Sequence, residues 1–188
     1  VNLRYETAPS PAASGMDTQT VNAGIEVHRE YSVEREGKWV LLNSPAELKT
    51  GELVRVDLYV GVPAERHFVV VQDPLPGGLE PVNRDLATAS TVDAKQGEPS
   101  YAEGSYRHKH QDWLEFGYSR WSFYFRELRH DFARFYSEML PAGHYHLTYV
   151  AQAIAPGVFT AQPTHVEEMY DPDVFGKGTP VELRVQAA

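Results

Sequence analysis

Between Glu52 and Val60 the chain reads Glu-Leu-Val-Arg-Val-Asp-Leu-Tyr-Val, with Val54, Val56, Leu58 and Val60 on every second position. A period of two sends successive side chains to opposite faces of an extended strand. Arg55 and Asp57 then face away from the apolar row, so the segment is expected to be a half-buried antiparallel strand. Comparable runs recur. Ile25–Val33 places Ile25, Val27, Tyr31 and Val33 near alternate positions, and Lys38–Leu42 follows a Glu36-Gly37 turn, which predicts a hairpin. His67–Gln72 is apolar on both faces and is expected to be a central strand, while Asp73-Pro-Leu-Pro-Gly-Gly78 must turn. Trp121–Phe125, His144–Ala153, Val158–Ala161 and Thr179–Gln186 complete the strand candidates. Many short strands separated by turn residues predict an all-β fold, an antiparallel β-sandwich with Greek-key features. Leu140-Pro-Ala-Gly143 leading into Tyr145 has the pattern of a tyrosine corner, with Leu140, Gly143 and Tyr145 as its structural residues.

Two regions break the alternation. Residues 1–20, with the run Ala8-Pro-Ser-Pro-Ala-Ala-Ser-Gly15, read as a linker, and Val1–Tyr5 as an edge strand. Residues 83–120 carry little periodicity and are rich in histidine and aromatics toward their end. They are expected to form a long loop insertion with room for one short helix. A third segment is ambiguous. Phe132, Phe135, Tyr136, Met139 and Leu140 fall at i, i+3, i+4, i+7 and i+8, which by itself predicts a helix.

Composition narrows the function. The chain has 188 residues and a formal charge of −9, which argues against a nucleic acid partner. It has no cysteine, so disulfides, zinc–thiolate sites and cysteine nucleophiles are excluded. No run of 18 apolar residues is present. The chain begins with Val1 and shows no signal peptide, which is expected of a fragment of a longer protein.

No catalytic constellation is visible: there is no phosphate loop, dinucleotide fingerprint or Gly-x-Ser-x-Gly elbow. His108, His110, Asp112 and His130 form one histidine-rich group, and His144 and His146 share a strand face. Neither has a metal motif, and hydrogen-bonding or solvent-exposed histidines are expected, with no metal and no cofactor. Glu167 and Glu168 are adjacent on an extended segment and point to opposite faces, so they do not form an acid–base pair. The group Arg126–Asp131 alternates in charge, as cross-strand or turn pairing does. Met169-Tyr170 is different: a large apolar pair stands in a loop just before Asp171-Pro172. Such a pair either staples its loop to the core or forms an exposed contact patch.

The ordered set Asn22–Val27 with Arg29-Glu-Tyr31, Gly51–Leu58, Asp73–Pro81, Leu140–Gly143, Tyr149–Ala153, Pro156–Ala161 and Val166–Pro172 resembles the last domain of bacterial alpha-2-macroglobulins. The motifs cover most of residues 21–186. The resemblance implies that residues 21–188 form a C-terminal, receptor-binding-domain-like macroglobulin sandwich, with 129–140 a strand. It implies a parent that traps proteases through bait cleavage and a thioester in another domain, and so acts as a protease inhibitor. It also implies a periplasmic parent, a lipoprotein anchored to the inner membrane. The expected partners are other domains of the parent chain, above all the thioester domain, then target proteases through the parent, and other periplasmic proteins. Met169 and Tyr170 match the loop that shields the thioester. A second reading makes the chain a free-standing carbohydrate- or ligand-binding sandwich, with Trp113, Tyr118 and Trp121 as a stacking platform.

Overall fold

A computed structural model of the chain describes residues 19–82, 102–106 and 122–188. Its named elements are strands: β1 (Val21–Ala23), β2 (Glu26–Arg35), β3 (Lys38–Leu42), β4 (Ala46–Lys49), β5 (Leu53–Val62), β6 (Arg66–Pro74), β7 (Leu79–Pro81), β8 (Phe125–Leu128), β9 (Phe132–Leu140), β10 (Gly143–Ala153), β11 (Gly157–Ala161), β12 (His165–Glu168), β13 (Asp171–Lys177) and β14 (Val181–Gln186). They form a six-stranded sheet in the order β1-β13-β12-β6-β9-β8, a five-stranded sheet β3-β2-β5-β10-β7 and a three-stranded sheet β11-β14-β4. All named pairs are antiparallel except β14 with β4. The fold is the expected all-β sandwich, with one parallel pair added. Of the expected linker or edge strand at 1–20, residues 1–18 lie outside the described residues, as does most of the expected insertion at 83–120 with any short helix there.

The β2–β3 hairpin turns through Glu36 and Gly37, both at positive φ (53° and 74°). Two successive positive-φ residues match the twist of the flanking strands. β10 runs beside β5 over the whole register from Gly143↔Val62 to Gln152↔Leu53. The inward row of β5, Val54, Val56, Leu58 and Val60, is fully buried and belongs to one core cluster with Val69, Val71, Phe135, Leu147 and Leu183. The Tyr145 hydroxyl donates to the Pro141 carbonyl at 2.6 Å, beside fully buried Leu140.

Four expectations need correction. Of the strand candidate Trp121–Phe125, the described residues Ser122–Tyr124 lie outside any strand, and only Phe125 enters one, as the first residue of β8. β5 is buried on both faces, because Arg55 and Asp57 are as inaccessible as the valines. The Arg55 guanidinium lies 4.6 Å over the Trp39 ring and bonds Asp57, which also meets His146 at 2.8 Å. Tyr59 packs on His146 and on Tyr106 of the insertion. β6 is central in its sheet, between β12 and β9, but only Val69, Val71 and Asp73 point into the core. Its other face carries half-buried Val70 and exposed Phe68. Finally, Asp73 is not a turn residue. β6 continues through Pro74, and the turn is formed at Pro76–Gly78, where the Leu79 N–H returns to the Pro76 carbonyl. Of segment 129–140, which the family resemblance implied to be a strand, residues 132–140 form β9 despite their helical periodicity, while 129–131 lie in the connection from β8. β9 carries Ala133, Phe135 and Ser137 inward and a half-buried Tyr136 outward, so apolar residues on both strand faces imitate a helical stripe.

Asp73 is the centre of a buried polar junction. Its carboxylate accepts from Arg29 Nη1 at 2.7 Å, from Thr164 Oγ1 at 2.7 Å and from the Tyr149 hydroxyl. Arg29 also donates to the carbonyls of Gln162, Ala161 and Thr179. The junction thereby ties β6 of the six-stranded sheet to β2 and β10 of the five-stranded sheet and to β11 of the third. Burial, the largest influence on each, pushes the Tyr31 and Tyr149 hydroxyls upward, so both remain neutral.

Asp57 makes the fold acid-sensitive. Burial would raise its pKa, but hydrogen bonds and charge from His146 and Arg55 outweigh burial, and the net shift is downward. A carboxyl with a depressed folded pKa contributes stability that is present above its unfolded value and lost as pH falls through the folded one. Chemical denaturation between pH 7 and pH 2 is expected to show stability falling below pH 4, less steeply in Asp57→Asn. Parallel curves for the two proteins would show that Asp57 does not carry the effect.

Candidate interdomain contact site

β12 and β13 form a hairpin whose two connecting residues are Met169 and Tyr170. The pairing shifts at the tip: Glu167 faces Phe175, while Glu168 faces Asp171. The residues gained on the β13 side include Pro172, which has no N–H to offer a ladder and so suits an irregular position. The tip is held from β6. Glu168 Oε1 accepts the His67 N–H at 2.8 Å, and the Met169 N–H donates to the Phe68 carbonyl at 2.9 Å.

Phe68 is in an unusual state. Its φ is 51°, a left-handed conformation costing a bulky residue about 1–2 kcal/mol. It also drops out of the β6–β9 ladder, where His67 pairs with Met139 and Val69 with Ser137. The twist aims its carbonyl at the hairpin tip. Its ring meets Tyr170 edge-on with centroids 5.1 Å apart. Hydrophobic side chains are left in solvent here: Phe68 is 46% exposed, Met139 55%, Met169 49% and Tyr170 78%. Phe68 and Tyr170 are in ring contact, Met169 adjoins Tyr170, and Met139 pairs with His67 beside Phe68, which makes this end a candidate contact surface. Glu167 pairs with His165 at 3.0 Å and Glu168 is committed to the His67 amide, so the two carboxylates serve separate partners.

Of the residues singled out in the sequence, Met169 and Tyr170 stand together in the open, and the loop is fastened through its backbone instead of by burying these side chains. Leu140, Gly143 and Tyr145 lie at the β9–β10 junction, where Phe123 packs edge-on against the Tyr145 ring. His130 is exposed beside Asp131, and Arg129 pairs with Glu127 at 2.7 Å. His144 and His146 share a face of β10, the latter bound to Asp57. His108, His110, Asp112, Trp113, Tyr118 and Trp121 lie outside the described residues. Among the described residues, no three His, Asp or Glu side chains converge as a metal site would require. Sequence reasoning missed Phe68 because its neighbours Phe-Val-Val-Val suggest an ordinary strand, and no glycine marks the left-handed position.

Comparison with known proteins agrees with this architecture. The profile of the family described as Bacterial Alpha-2-macroglobulin MG10 domain matches residues 24–173. An alpha-2-macroglobulin homolog from Nostoc is 25% identical over 169 residues, which is 87% of this chain and 8% of that protein. Native alpha-2-macroglobulin from Escherichia coli, in a crystal structure from domain MG7 to the C-terminus, superposes with a TM-score of 0.61 at 25% identity, over 88% of this chain and 24% of that one. Salmonella alpha-2-macroglobulin reacted with methylamine gives a TM-score of 0.60 at 22% identity, over 88% of this chain and 10% of that one. The chain thus spans a small part of the relatives it matches. With the family profile spanning four-fifths of its length, on a matching sandwich, the chain belongs to the bacterial alpha-2-macroglobulin MG10 domain family.

Proposed function

We propose that this chain is the non-catalytic C-terminal domain of a protease-trapping alpha-2-macroglobulin, and that its β12–β13 tip docks on another domain of the same parent. The observation that carries the reading is the exposure of Met169 and Tyr170 on a hairpin held by two backbone-directed hydrogen bonds from β6. Side chains of this kind are adaptable, desolvating contact residues, and a rigid mount lowers the entropy cost of docking them. The docked surface is a thioester in the parent. A methionine–tyrosine cap excludes water from an acyl group at little polar cost, and its withdrawal after bait cleavage exposes the bond. The parent works in the periplasm, anchored to the inner membrane as a lipoprotein, where it meets its target proteases and other periplasmic proteins. The chemistry at stake is in keeping with the reaction of the Salmonella relative with methylamine.

The test uses the full-length parent. Met169→Ala and Tyr170→Ala are compared with the unmodified protein for the rate of methylamine incorporation before any protease is added. Loss of a central contact side chain is expected to raise that rate about tenfold, the equivalent of roughly 1.4 kcal/mol of docking. An unchanged rate in a parent that does incorporate methylamine rules out the shield.

A further inference from the structure

We infer that Phe68 is the positioning residue for Tyr170: it sets the hairpin tip in its docking geometry from a neighbouring strand. This rests on the docking role proposed for Met169 and Tyr170 and adds the group that makes them competent. Tyr170 is 78% exposed and its ring neighbour is Phe68, in edge-to-face contact at 5.1 Å. An exposed tyrosine samples several rotamers, and an aromatic edge contact selects among them. The same residue fixes the backbone of the tip, since its carbonyl accepts the Met169 N–H at 2.9 Å. Both contacts depend on the left-handed φ of 51°. In regular strand geometry, the position 68 carbonyl and ring would follow the β6 ladder.

A left-handed phenylalanine is disfavoured, and at 46% exposure the residue has only partial packing to offset that. A glycine would take up the same backbone freely. Strain held at an exposed aromatic is the pattern of a residue kept for what its ring does. The positioning role therefore makes stability and docking move in opposite directions when Phe68 becomes glycine.

The experiment reads docking through the chemistry of Met169 and does not depend on a thioester. The full-length parent is treated with dilute hydrogen peroxide, and sulfoxide formation at Met169 is followed by peptide mass spectrometry, since a covered thioether oxidises more slowly than an open one. Four proteins are compared: unmodified, Tyr170→Gly, Phe68→Gly and Phe68→Tyr. Phe68→Gly is expected to oxidise at Met169 about threefold to tenfold faster, the equivalent of losing one edge-to-face aromatic pair. Its thermal midpoint should be equal or higher, and Phe68→Tyr should oxidise like the unmodified protein. If Tyr170→Gly speeds oxidation while Phe68→Gly does not, the positioning role is wrong and docking stands. If neither substitution changes the rate, the docking reading itself fails. A Phe68→Gly protein with a lowered midpoint and unchanged oxidation would make Phe68 a packing residue only.

Discussion

Replacing Asp73 with alanine is expected to lower the unfolding free energy by about 3–5 kcal/mol, the range for breaking a buried ion pair by removing one partner. Asp73 and Arg29 are both buried, and the variant leaves the guanidinium without its carboxylate in the interior. It also strips acceptors from the Thr164 and Tyr149 hydroxyls. Each of those groups gave up water to reach the junction, so each unpaired donor adds its own desolvation penalty. For a domain of this size the loss corresponds to a fall in thermal midpoint of about 10 °C. Circular dichroism melts and urea titrations measure it directly. The double variant Arg29→Met with Asp73→Leu removes both charges together, and a buried pair replaced by apolar groups is often tolerated. It is expected to recover most of the loss. An Asp73→Ala protein within 1 kcal/mol of the original would show that the three sheets are held by apolar packing alone.

Gly176→Ala is the second large effect, with an expected cost of about 3 kcal/mol, at the upper end of ordinary overpacking. A Cβ placed there lies 2.3 Å from the carbonyl oxygen of Ile25, and the obstacle is backbone instead of a movable side-chain end. Ile25 is fully buried and Gly24 bridges Phe175, so the opposing segment has little room to withdraw. Gly51 supplies the contrast. It has a φ of 92° and nothing within 4 Å of an added Cβ, so Gly51→Ala meets only the left-handed penalty of about 1–2 kcal/mol. Denaturation midpoints of the two variants should rank accordingly. The reverse order would mean that the β13 backbone yields more readily than its contacts indicate.

The strands were legible where one face is apolar and a turn follows. The Val54–Val60 row, the Glu36-Gly37 turn and the His144–Ala153 run all appear as strand or turn at those places. Asp73 was hidden because Pro-Leu-Pro-Gly-Gly follows it, and its partners are 44, 76 and 91 positions away in the chain. Burial of a charge is decided by such distant partners, and local patterning does not encode them. Arg55 and Asp57 were misread for the same reason: their face is covered by Trp39, on which Ala102 packs, by His146, and by Tyr106 on neighbouring Tyr59. At the tip, Met169 and Tyr170 were visible as apolar residues out of place. Phe68 was not, because a backbone dihedral leaves no trace in residue type unless glycine or asparagine occupies it.

Strand length at the sheet margins has a consequence for how such a domain lives within a long polypeptide. Among the described residues, the six-stranded sheet ends in β1 and β8, of three and four residues, and the five-stranded sheet in β3 and β7, of five and three. The third sheet ends in β11 and β4, of five and four residues, whereas interior β10 runs to eleven. A long open margin is a template for another chain to extend the ladder, and short ones blunt it. Tethered neighbours meet at high effective concentration, where fusion of adjacent sheets into one aggregate is the hazard. Margins this short offer few consecutive hydrogen bonds to a stray strand, so the sheets themselves resist being extended by a neighbour.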